Sequence, residues 1–350
     1  APIYRAGRDK EISSRIYDRF PILVDRSRSP ESNVWPVRYV RMLDMANDSA
    51  QFRTVDELEN RERAYPVDGL RFRNAEGDWV PLYEGKMVQA YDHRASSIVT
   101  VAKNVHRSGQ GLDTTVEQHQ DPDFQPQPRY YVREDQALSV ELAIKDVTST
   151  TNARSIIACL IPPFAAGHTL PLLQMQIADA RERAGSQAML CANLNSVMID
   201  FVARTKILSN HASWYILEQL PMILPTTYDA TRFGTKAARE IITKAVLELT
   251  YTSHDIARFA SDLGYVEGGA VKQPFVWNDD QRLHLKAKLD AVYFHLYGIM
   301  DRDDVRYIYS TFPIVEKEEK GLWGSYRSRD LCLRYMNALA SGHPDAVVEG

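Results

Sequence analysis

Cysteine is scarce in this sequence, and its spacing does not suit metal chemistry. Three cysteines occur in 350 residues, and Cys159, Cys191 and Cys332 lie far apart. A structural zinc site needs closely spaced cysteine or histidine ligands, and a small secreted scaffold needs many cysteines. The nine histidines form no His-Glu-x-x-His sequence either. We therefore expect reduced thiols in the core of a cytoplasmic protein that binds no metal.

Long apolar runs are also missing. The longest uncharged apolar stretch, residues 156–173, is interrupted by prolines, a glycine and a histidine. A transmembrane helix needs about 20 consecutive apolar residues, so we expect no membrane span. The charged string Arg8-Asp9-Lys10-Glu11 argues against a signal peptide. It runs directly into the helical pattern of Ile12, Ile16 and Phe20, which predicts that the chain begins inside a larger protein.

The sequence has no excess of positive charge. Lysine and arginine number 42 against 46 aspartates and glutamates, a net charge of -4, and no third of the chain is basic. Nucleic-acid-binding domains often carry a basic block. DNA binding by this chain therefore requires that its exposed cations gather on one face.

The motifs of a self-sufficient methyltransferase or nucleotide-binding enzyme are absent. No Gly-x-Gly-x-x-Gly or Walker-type loop occurs. The string Ile161-Pro162-Pro163-Phe164 resembles the Asn/Asp-Pro-Pro-aromatic motif of amino-methyltransferases only in outline. Ile161 cannot accept a hydrogen bond from the amine of a flipped base. We therefore expect neither an active site nor a cofactor in this chain.

Short strands separated by polar turns dominate the first part of the chain. Strand-like runs occur near residues 37–42, 80–83, 96–102, 130–132, 139–144 and 155–160. Between them, residues 104–129 are rich in Gln, Asp, Pro and Gly. Such a composition buries little apolar surface, so we predict a long flexible loop there.

Helical periodicity characterises the second part. In residues 187–205, apolar residues recur at the spacing of one buried stripe. The strongest pattern covers residues 279–297, where Asn278 is a suitable N-cap and Gly298 follows the end. Shorter helices are predicted over 236–249, 254–263, 302–311 and 325–340. The sequence thus predicts an α+β protein, with a β-rich domain, flanking helices and a C-terminal helical bundle.

Several strings resemble one known family, in order along residues 8–340. They are Arg8-Asp9, Ile16-Tyr17, Phe20-Pro21, Arg41-Met42, Asn47-Asp48-Ser49, Phe52-Arg53, Pro81-Leu82-Tyr83-Glu84-Gly85-Lys86-Met87, Tyr91-Asp92-His93-Arg94, Ala143-Ile144-Lys145-Asp146-Val147, Thr151-Asn152-Ala153-Arg154, Leu194-Asn195-Ser196, Glu218-Gln219-Leu220-Pro221, Leu249-Thr250-Tyr251-Thr252, Leu289-Asp290-Ala291, Leu296-Tyr297-Gly298, Thr311-Phe312-Pro313-Ile314-Val315 and Gly324-Ser325-Tyr326-Arg327. The chain resembles the region C-terminal to the catalytic core of large type-IIG-like adenine-specific DNA methyltransferases. Relatives of these enzymes occur in restriction-modification and in BREX- and DISARM-type phage defence. Two departures are Lys145, where arginine is expected, and Ser155, where threonine is usual.

The resemblance implies a division of the chain and a set of partners. Residues 1–79 would continue a missing catalytic region, residues 80–225 would form the DNA target-recognition domain, and residues 226–350 would form the C-terminal helical region. The partners would be double-stranded DNA, the catalytic domain and other defence-system subunits. S-adenosylmethionine would bind to the parent enzyme, outside this chain.

Two segments of the predicted recognition domain supply candidate DNA contacts. Lys86 follows Gly85, where backbone can approach a phosphate closely, although a plain exposed lysine has the same sequence. His93 and Arg94 belong to the second string, and an ion pair between Arg94 and Asp92 is the alternative to a phosphate contact.

Asn152 and Arg154 lie in a polar segment between two predicted strands. Asparagine can pair with adenine and arginine with guanine, but such residues are also common in ordinary turns. Asn195, within a helical stripe, is favoured as a structural hydrogen-bonding residue.

The sequence leaves a second function open. The predicted C-terminal helices could bind a partner subunit of a phage-defence complex, with DNA contact incidental. A positive groove over residues 80–225 would favour DNA recognition, and an uncharged apolar patch over residues 279–340 would favour docking.

Overall fold

The protein is described by a computed structural model that covers residues 2–27, 32–99, 109–134, 139–207 and 210–349. It contains 42% helix and 20% strand, with antiparallel sheets and a helical C-terminal region. The α+β class predicted from the sequence is therefore confirmed.

The strands are short, as the sequence predicts. They are β1 (Val24–Asp25), β2 (Ser32–Asn33), β3 (Val37–Val40), β4 (Tyr65–Asp68), β5 (Arg71–Asn74), β6 (Gly77–Tyr83), β7 (Ser96–Val99), β8 (Gln110–Asp113), β9 (Tyr130–Arg133), β10 (Glu141–Ile144), β11 (Ala158–Ile161), β12 (Ala165–Ala166), β13 (Leu172–Met175), β14 (Arg232–Phe233), β15 (Lys236–Ala237), β16 (Val266–Glu267) and β17 (Ala270–Val271).

The longer helices lie at the N-terminus and in the second half of the chain. The helices are α1 (Gly7–Arg19), α2 (Val55–Asn60), α3 (Val116–Gln120), α4 (Ala180–Asn195), α5 (Val197–Arg204), α6 (Trp214–Leu217), α7 (Pro225–Ala230), α8 (Ala238–Thr250), α9 (Ala257–Asp262), α10 (Asp279–Leu296), α11 (Arg302–Ser310), α12 (Pro313–Trp323) and α13 (Arg327–Ala340). Three 3₁₀ turns occupy Ser49–Gln51, Gly85–Met87 and His254–Ile256.

A four-stranded antiparallel sheet in the order β11-β10-β13-β3 separates two hydrophobic cores. Successive side chains of a strand point to opposite faces of the sheet. Leu142 and Ile144 of β10 accordingly pack into the large core formed with the helices. Ala143 packs into a second core shared with β6 and β12. Burial on both faces explains why β10 and β11 read as apolar runs.

The five-stranded sheet lies on the other side of the second core and is built around β6. Its strand β6 pairs antiparallel with β5 and β9 and parallel with β12. Strand β4 pairs with β5 and lies at one edge. The sheet therefore combines β4 and β5, from the segment predicted to continue the catalytic region, with strands of the predicted recognition domain.

The end signals predicted for α10 are present. Asn278 Oδ1 accepts a hydrogen bond from the backbone N–H of Gln281 at 2.9 Å, and Gly298 has φ +70°. The predicted single helix over 187–205 is instead two helices, α4 and α5. Ser196 has extended backbone between them, and its hydroxyl caps α5 by accepting from the Ile199 N–H at 3.2 Å.

The predicted flexible loop over 104–129 is wrong for residues 110–120, which form β8 and α3, whereas residues 121–129 contain no helix or strand. Strand β8 pairs with β7, and α3 begins at Thr115. The Thr115 hydroxyl accepts from the Gln118 N–H at 3.2 Å, and the Gln118 side chain accepts from the Thr115 N–H at 2.9 Å. Residues 104–108 of this prediction lie outside the described residues.

Candidate nucleic-acid interface

Arg94 is an interior residue that holds the segment around α3. Its side chain is fully buried, at 0% exposure. The guanidinium donates to the carbonyls of His119 and Asp121 at 2.8 Å each and of Phe124 at 3.2 Å, and to the Thr252 carbonyl at 3.0 Å. Burial lowers the pKa of Arg94. Polar contacts to one guanidinium, rather than apolar burial, thus order a segment poor in apolar residues.

His93 is buried beside Arg94, at the junction between the sheets and the helices. Its Nε2 lies 3.0 Å from Asp255 Oδ1 and 3.2 Å from the Ser253 hydroxyl. Burial would raise the pKa of Asp255, but His93, Ser253 and Arg94 outweigh it, so that this pKa is lowered. The polar groups of His93 and Arg94 therefore contact partners inside the protein.

A second buried pair continues the same junction. His119 Nε2 lies 3.1 Å from Asp92 Oδ2, and the His119 ring stacks on Trp277 with centroids 3.7 Å apart. The Arg282 guanidinium lies 3.5 Å from the Trp277 ring centroid and donates to the Tyr91 carbonyl at 3.3 Å. Burial lowers the pKa of Arg282 to about 10. The string that begins at Tyr91 thus joins the sheets to α10.

Arg154 is also engaged within the protein. Its Nε donates to Asp200 at 2.7 Å, and its guanidinium also bonds the Asn195 carbonyl. Asp200 additionally accepts from the Ser155 N–H at 2.9 Å and from Arg204 Nε at 3.2 Å. Arg154 therefore anchors the strand-connecting segment onto α5.

Asn152, two residues earlier, is exposed. Its backbone N–H donates to the Ser149 carbonyl at 3.1 Å, and its carbonyl accepts from Arg204 at 2.8 Å. These contacts fix the turn and leave the side chain at the surface. Asn195, by contrast, bonds both the N–H and the carbonyl of Ala158, at 2.9 and 2.8 Å, as expected of a structural residue.

Lys86 is exposed and lies near other basic side chains, for which the sequence predicts no DNA contact. We call this set the cationic edge, made of the cations Arg41, Lys86, Arg129 and Lys145 together with the imidazole of His168. Lys86 Nζ donates to the Gly109 carbonyl at 2.6 Å, and Lys145 Nζ lies 3.5 Å from the Val88 carbonyl. Arg41 donates to the His168 carbonyl at 3.4 Å.

Glu84 is a buried carboxylate that lies near three members of the cationic edge, Arg129, Lys86 and His168. Arg129 Nε lies 3.8 Å from Glu84 Oε1, and Lys86 and His168 also act electrostatically on this carboxylate. Burial raises the pKa of Glu84, against the opposing effect of these three groups. Glu84 thus lies in the field of basic groups from separate segments, and among the described residues its buried Oε1 has no hydrogen-bond partner.

Gly85 allows the 3₁₀ turn that carries Lys86 to lie against the loop after β12. Its N–H donates to the Thr169 hydroxyl at 3.1 Å. A Cβ at this position would lie 2.7 Å from the Thr169 carbonyl oxygen and 3.5 Å from Lys145 Cγ. Glycine is therefore required at position 85, because the backbone of Thr169 approaches it closely. The string Glu84-Gly85-Lys86 is the feature of the sequence that points to the cationic edge. Arg41 belongs to the family-like string Arg41-Met42, whereas Arg129 and His168 are isolated in sequence, so no local pattern could have found these two.

A cleft of about 540 Å³ adjoins the cationic edge and is lined by Met45, Ser49, Ala50, Phe52, Arg129 and Tyr130. The Arg129 guanidinium lies 4.3 Å from the centroid of the Tyr130 ring, and the Phe52 and Tyr130 centroids are 5.4 Å apart. This packing fixes the Arg129 guanidinium in the wall of the cleft, with Tyr130 and Phe52 buried behind it.

No family model, curated protein or solved structure matches this chain. In the part of the chain that the structure describes, no three His, Cys, Asp or Glu side chains are placed to hold a metal ion. Across those same residues, every helix is too short or too polar to cross a bilayer.

Proposed function

We propose that this chain binds duplex DNA and selects the target site for an adenine-specific DNA methyltransferase of a restriction-modification or phage-defence system. The catalytic domain would be a separate part of the parent protein. The observation that carries the proposal is the cationic edge, which gathers Arg41, Arg129 and Lys145 around the predicted contact residue Lys86 in a chain of net negative charge.

The charge balance of this surface suits phosphate. Four lysine and arginine side chains lie near three carboxylates, Asp44, Glu84 and Asp113, and Arg129 is as inaccessible as its partner Glu84, at 10% side-chain exposure each. Glu84 is buried, and Asp44 accepts the backbone N–H groups of Ala46 and Asn47 at 2.8 and 3.0 Å. Phosphate contacts provide much of the affinity of DNA-binding proteins and fix their register on the duplex.

The buried residues of the family-like strings act as a scaffold in this proposal. Arg154 holds the segment that bears Asn152, and Gly85, through Thr169, holds the turn that bears Lys86. Recognition residues are commonly carried on loops that a rigid framework positions. Lys86 and Asn152 therefore remain the candidates for direct DNA contact.

The residues present do not fit S-adenosylmethionine-dependent methyl transfer. Ile161, at the position where an amine-binding Asn or Asp would stand, is fully buried at the end of β11 and packs in the second hydrophobic core. We therefore assign cofactor binding and chemistry to the catalytic domain of the parent enzyme.

One observation favours the second candidate function, docking to a protein subunit. Helix α12 exposes Ile314 and Leu322, at 36% and 72% exposure, beside Gly321 in a groove that the charged Lys317 and Glu318 also line. Exposed apolar patches often mark protein-protein interfaces. A docking function for this face is compatible with DNA recognition at the cationic edge, since the two surfaces share no residue.

The proposal is tested by fluorescence anisotropy of the purified chain with a labelled random-sequence duplex over a salt series. Each lost phosphate contact should lower the slope of log affinity against log salt by about 1. We expect this change for Lys86→Gln and for Arg41→Gln. Lys10→Gln is the matched control, because Lys10 is exposed on α1 and belongs to another surface.

Selection from a random duplex pool then tests target recognition itself. We expect an enriched sequence for the wild-type chain, and the same sequence at lower yield for Lys86→Gln. Salt slopes that are identical for all three variants and the wild type, together with no enrichment, would reject DNA recognition and leave the docking function of α12.

A further inference from the structure

A groove of about 640 Å³ runs between α8 and α10, far along the chain from the cationic edge. Three lysines line it: Lys236 before α8, Lys244 on α8 and Lys288 on α10. Residues 345–347, which follow α13, lie along one side. The groove therefore brings together three ammonium groups from two helices and a hairpin.

Asp345 supplies the carboxylate that these lysines face. Its two oxygens lie 2.6 and 2.7 Å from Lys236 Nζ. The hydrogen bond from Lys236, together with the charges of Lys288 and Lys244, lowers the pKa of Asp345. Burial and the neighbouring charges of Lys244 and Lys236 lower the pKa of Lys288, against the opposing effect of Asp345. Asp345 is thus paired with Lys236 and lies in the field of Lys244 and Lys288, while Glu248 also acts on Lys288.

The other carboxylates of the groove have partners of their own. Asp280 Oδ1 lies 2.6 Å from Arg327 Nη1. Glu248 accepts the side-chain amide of Gln281, and Glu240 accepts the Ala237 N–H at 3.3 Å. Among the described residues, no carboxylate lies within ion-pair distance of Lys244 or Lys288. Lys244 and Lys288 therefore have no direct ion pair among the described residues, and Glu240 and Glu248 line the same groove.

We propose that this groove is a phosphate-binding site and that Asp345 occupies it in the free protein. Lysine ammonium groups are compact charges that bind phosphate oxygens from several directions. A phosphate group has more oxygens and more charge than the single Asp345 carboxylate, so it can engage Lys244 and Lys288 in addition to Lys236. The proposal concerns different residues from the cationic edge and does not depend on DNA contact there.

The stretch that carries Asp345 is anchored on both sides, at Gly342 and at Val348, which packs against the large core. Gly342 has φ +74°, and its carbonyl lies against Gly234 of the β14–β15 turn, where a Cβ would be 2.3 Å from that oxygen. Val347, two residues past Asp345, is 93% exposed. Asp345 is itself largely exposed, with 64% of its side chain accessible. A phosphate can therefore replace its carboxylate without disturbing α13.

The experiment is calorimetric titration of the full chain with inorganic phosphate. Asp345→Asn removes the competing charge at nearly constant shape. We expect about a two- to fivefold higher affinity, the range corresponding to one exposed ion pair. Lys288→Gln in the Asp345→Asn background should return the affinity to the wild-type value or below it. Glu349→Gln is the matched control, because it removes an exposed carboxylate from the same stretch.

Competition with a short duplex distinguishes the sources of the phosphate. A duplex that displaces phosphate, and gains the same factor on Asp345→Asn, identifies a nucleic-acid backbone as the ligand. A gain confined to inorganic phosphate identifies a small phosphorylated ligand. An unchanged affinity in Asp345→Asn, or an equal gain in Glu349→Gln, overturns the proposal. Lys86→Gln should leave phosphate binding unchanged, so this result is separable from that at the cationic edge.

Discussion

Arg94 and Thr252, 158 residues apart in the chain, are joined by two hydrogen bonds of 3.0 Å from one guanidinium nitrogen to the Thr252 carbonyl and hydroxyl. The same guanidinium binds three carbonyls of residues 119–124. Arg94 thus connects the sheet-bearing half of the molecule, the segment around α3 and the C-terminal helical region.

Arg94→Met should destabilise the protein strongly. Methionine retains much of the apolar stem but leaves four carbonyls without their donor, and each unsatisfied buried group costs about 1–3 kcal/mol. We expect a loss of about 3 kcal/mol or more in the free energy of unfolding, measured by urea denaturation. Lys86→Met, the matched control at an exposed site, should change it by less than about 0.5 kcal/mol. Equal stabilities of the two variants would contradict the scaffold role of Arg94.

Hydrogen exchange should show that α3 is ordered without any ligand. The His119 N–H donates to the Thr115 carbonyl at 2.9 Å, and the His119 carbonyl is bound by Arg94 at 2.8 Å. We expect measurable protection of this amide in the wild-type chain and its loss in Arg94→Met. Fast exchange of the His119 amide in the wild-type chain would instead support the flexible loop predicted from composition.

Asp290 should make stability fall as pH rises above about 4. The carboxyl is buried, accepts from the Val197 N–H at 2.8 Å and the Tyr309 hydroxyl at 3.2 Å, and faces Arg154. Burial raises its pKa to about 6 from the ordinary value of 3.8, despite the opposing effect of Arg154. Between these two values the folded state holds a proton that the unfolded state has released. The stability that this proton contributes is therefore fully present below pH 4 and is lost as the pH rises through 6.

Asp290→Asn isolates this contribution. Asparagine resembles the protonated carboxyl and does not titrate. The free energy of unfolding of Asp290→Asn, taken relative to that of the wild type, should therefore increase by roughly 2–3 kcal/mol between pH 4 and pH 7.5. Urea denaturation of both proteins at the two pH values provides the measurement. A difference that stays constant with pH would show that Asp290 has the same pKa in the folded and unfolded states.

Local patterns in the sequence were sufficient for some elements. Helix α10 has a strong cap at Asn278 and a positive-φ glycine after its end, so its bounds were predicted to within one residue. The break at Ser196 was missed because the apolar period continues across it. Helix α12, with Pro313 at its first position, was missed because its apolar residues Ile314 and Leu322 face outward and form no buried stripe.

The candidate site could be predicted only in part. Lys86 was found because Gly85 marks a close backbone approach within a distinctive string. Arg94 looks like a surface cation in the sequence, because its carbonyl partners come from residues 119–124 and from Thr252. Burial of a charged side chain depends on such distant partners, and no local pattern reveals them. The same holds for Arg129 and His168, which only the tertiary fold brings to the cationic edge.

Asn152 and Arg154 are separated by one residue, and the structure predicts opposite consequences for their substitution. Asn152→Ala should leave the free energy of unfolding within about 0.5 kcal/mol of wild type, because its backbone makes the turn contacts and its side chain is exposed. Arg154→Gln should cost about 1.5–3 kcal/mol, since it removes a charge-assisted hydrogen bond to the buried Asp200, which keeps Arg204 as its second cation.

The DNA readout of Asn152→Ala then decides whether this residue reads sequence. An amide that pairs with an adenine edge contributes about 1–3 kcal/mol of discrimination and carries no charge. Selection from the random duplex pool should therefore show relaxed preference at one position, while the salt slope equals that of the wild type. Lys86→Gln should show the reverse, a lower slope with the preference unchanged. If Asn152→Ala retains the full preference, Asn152 is only a turn residue, and base contacts must be sought on the loops that border the cationic edge.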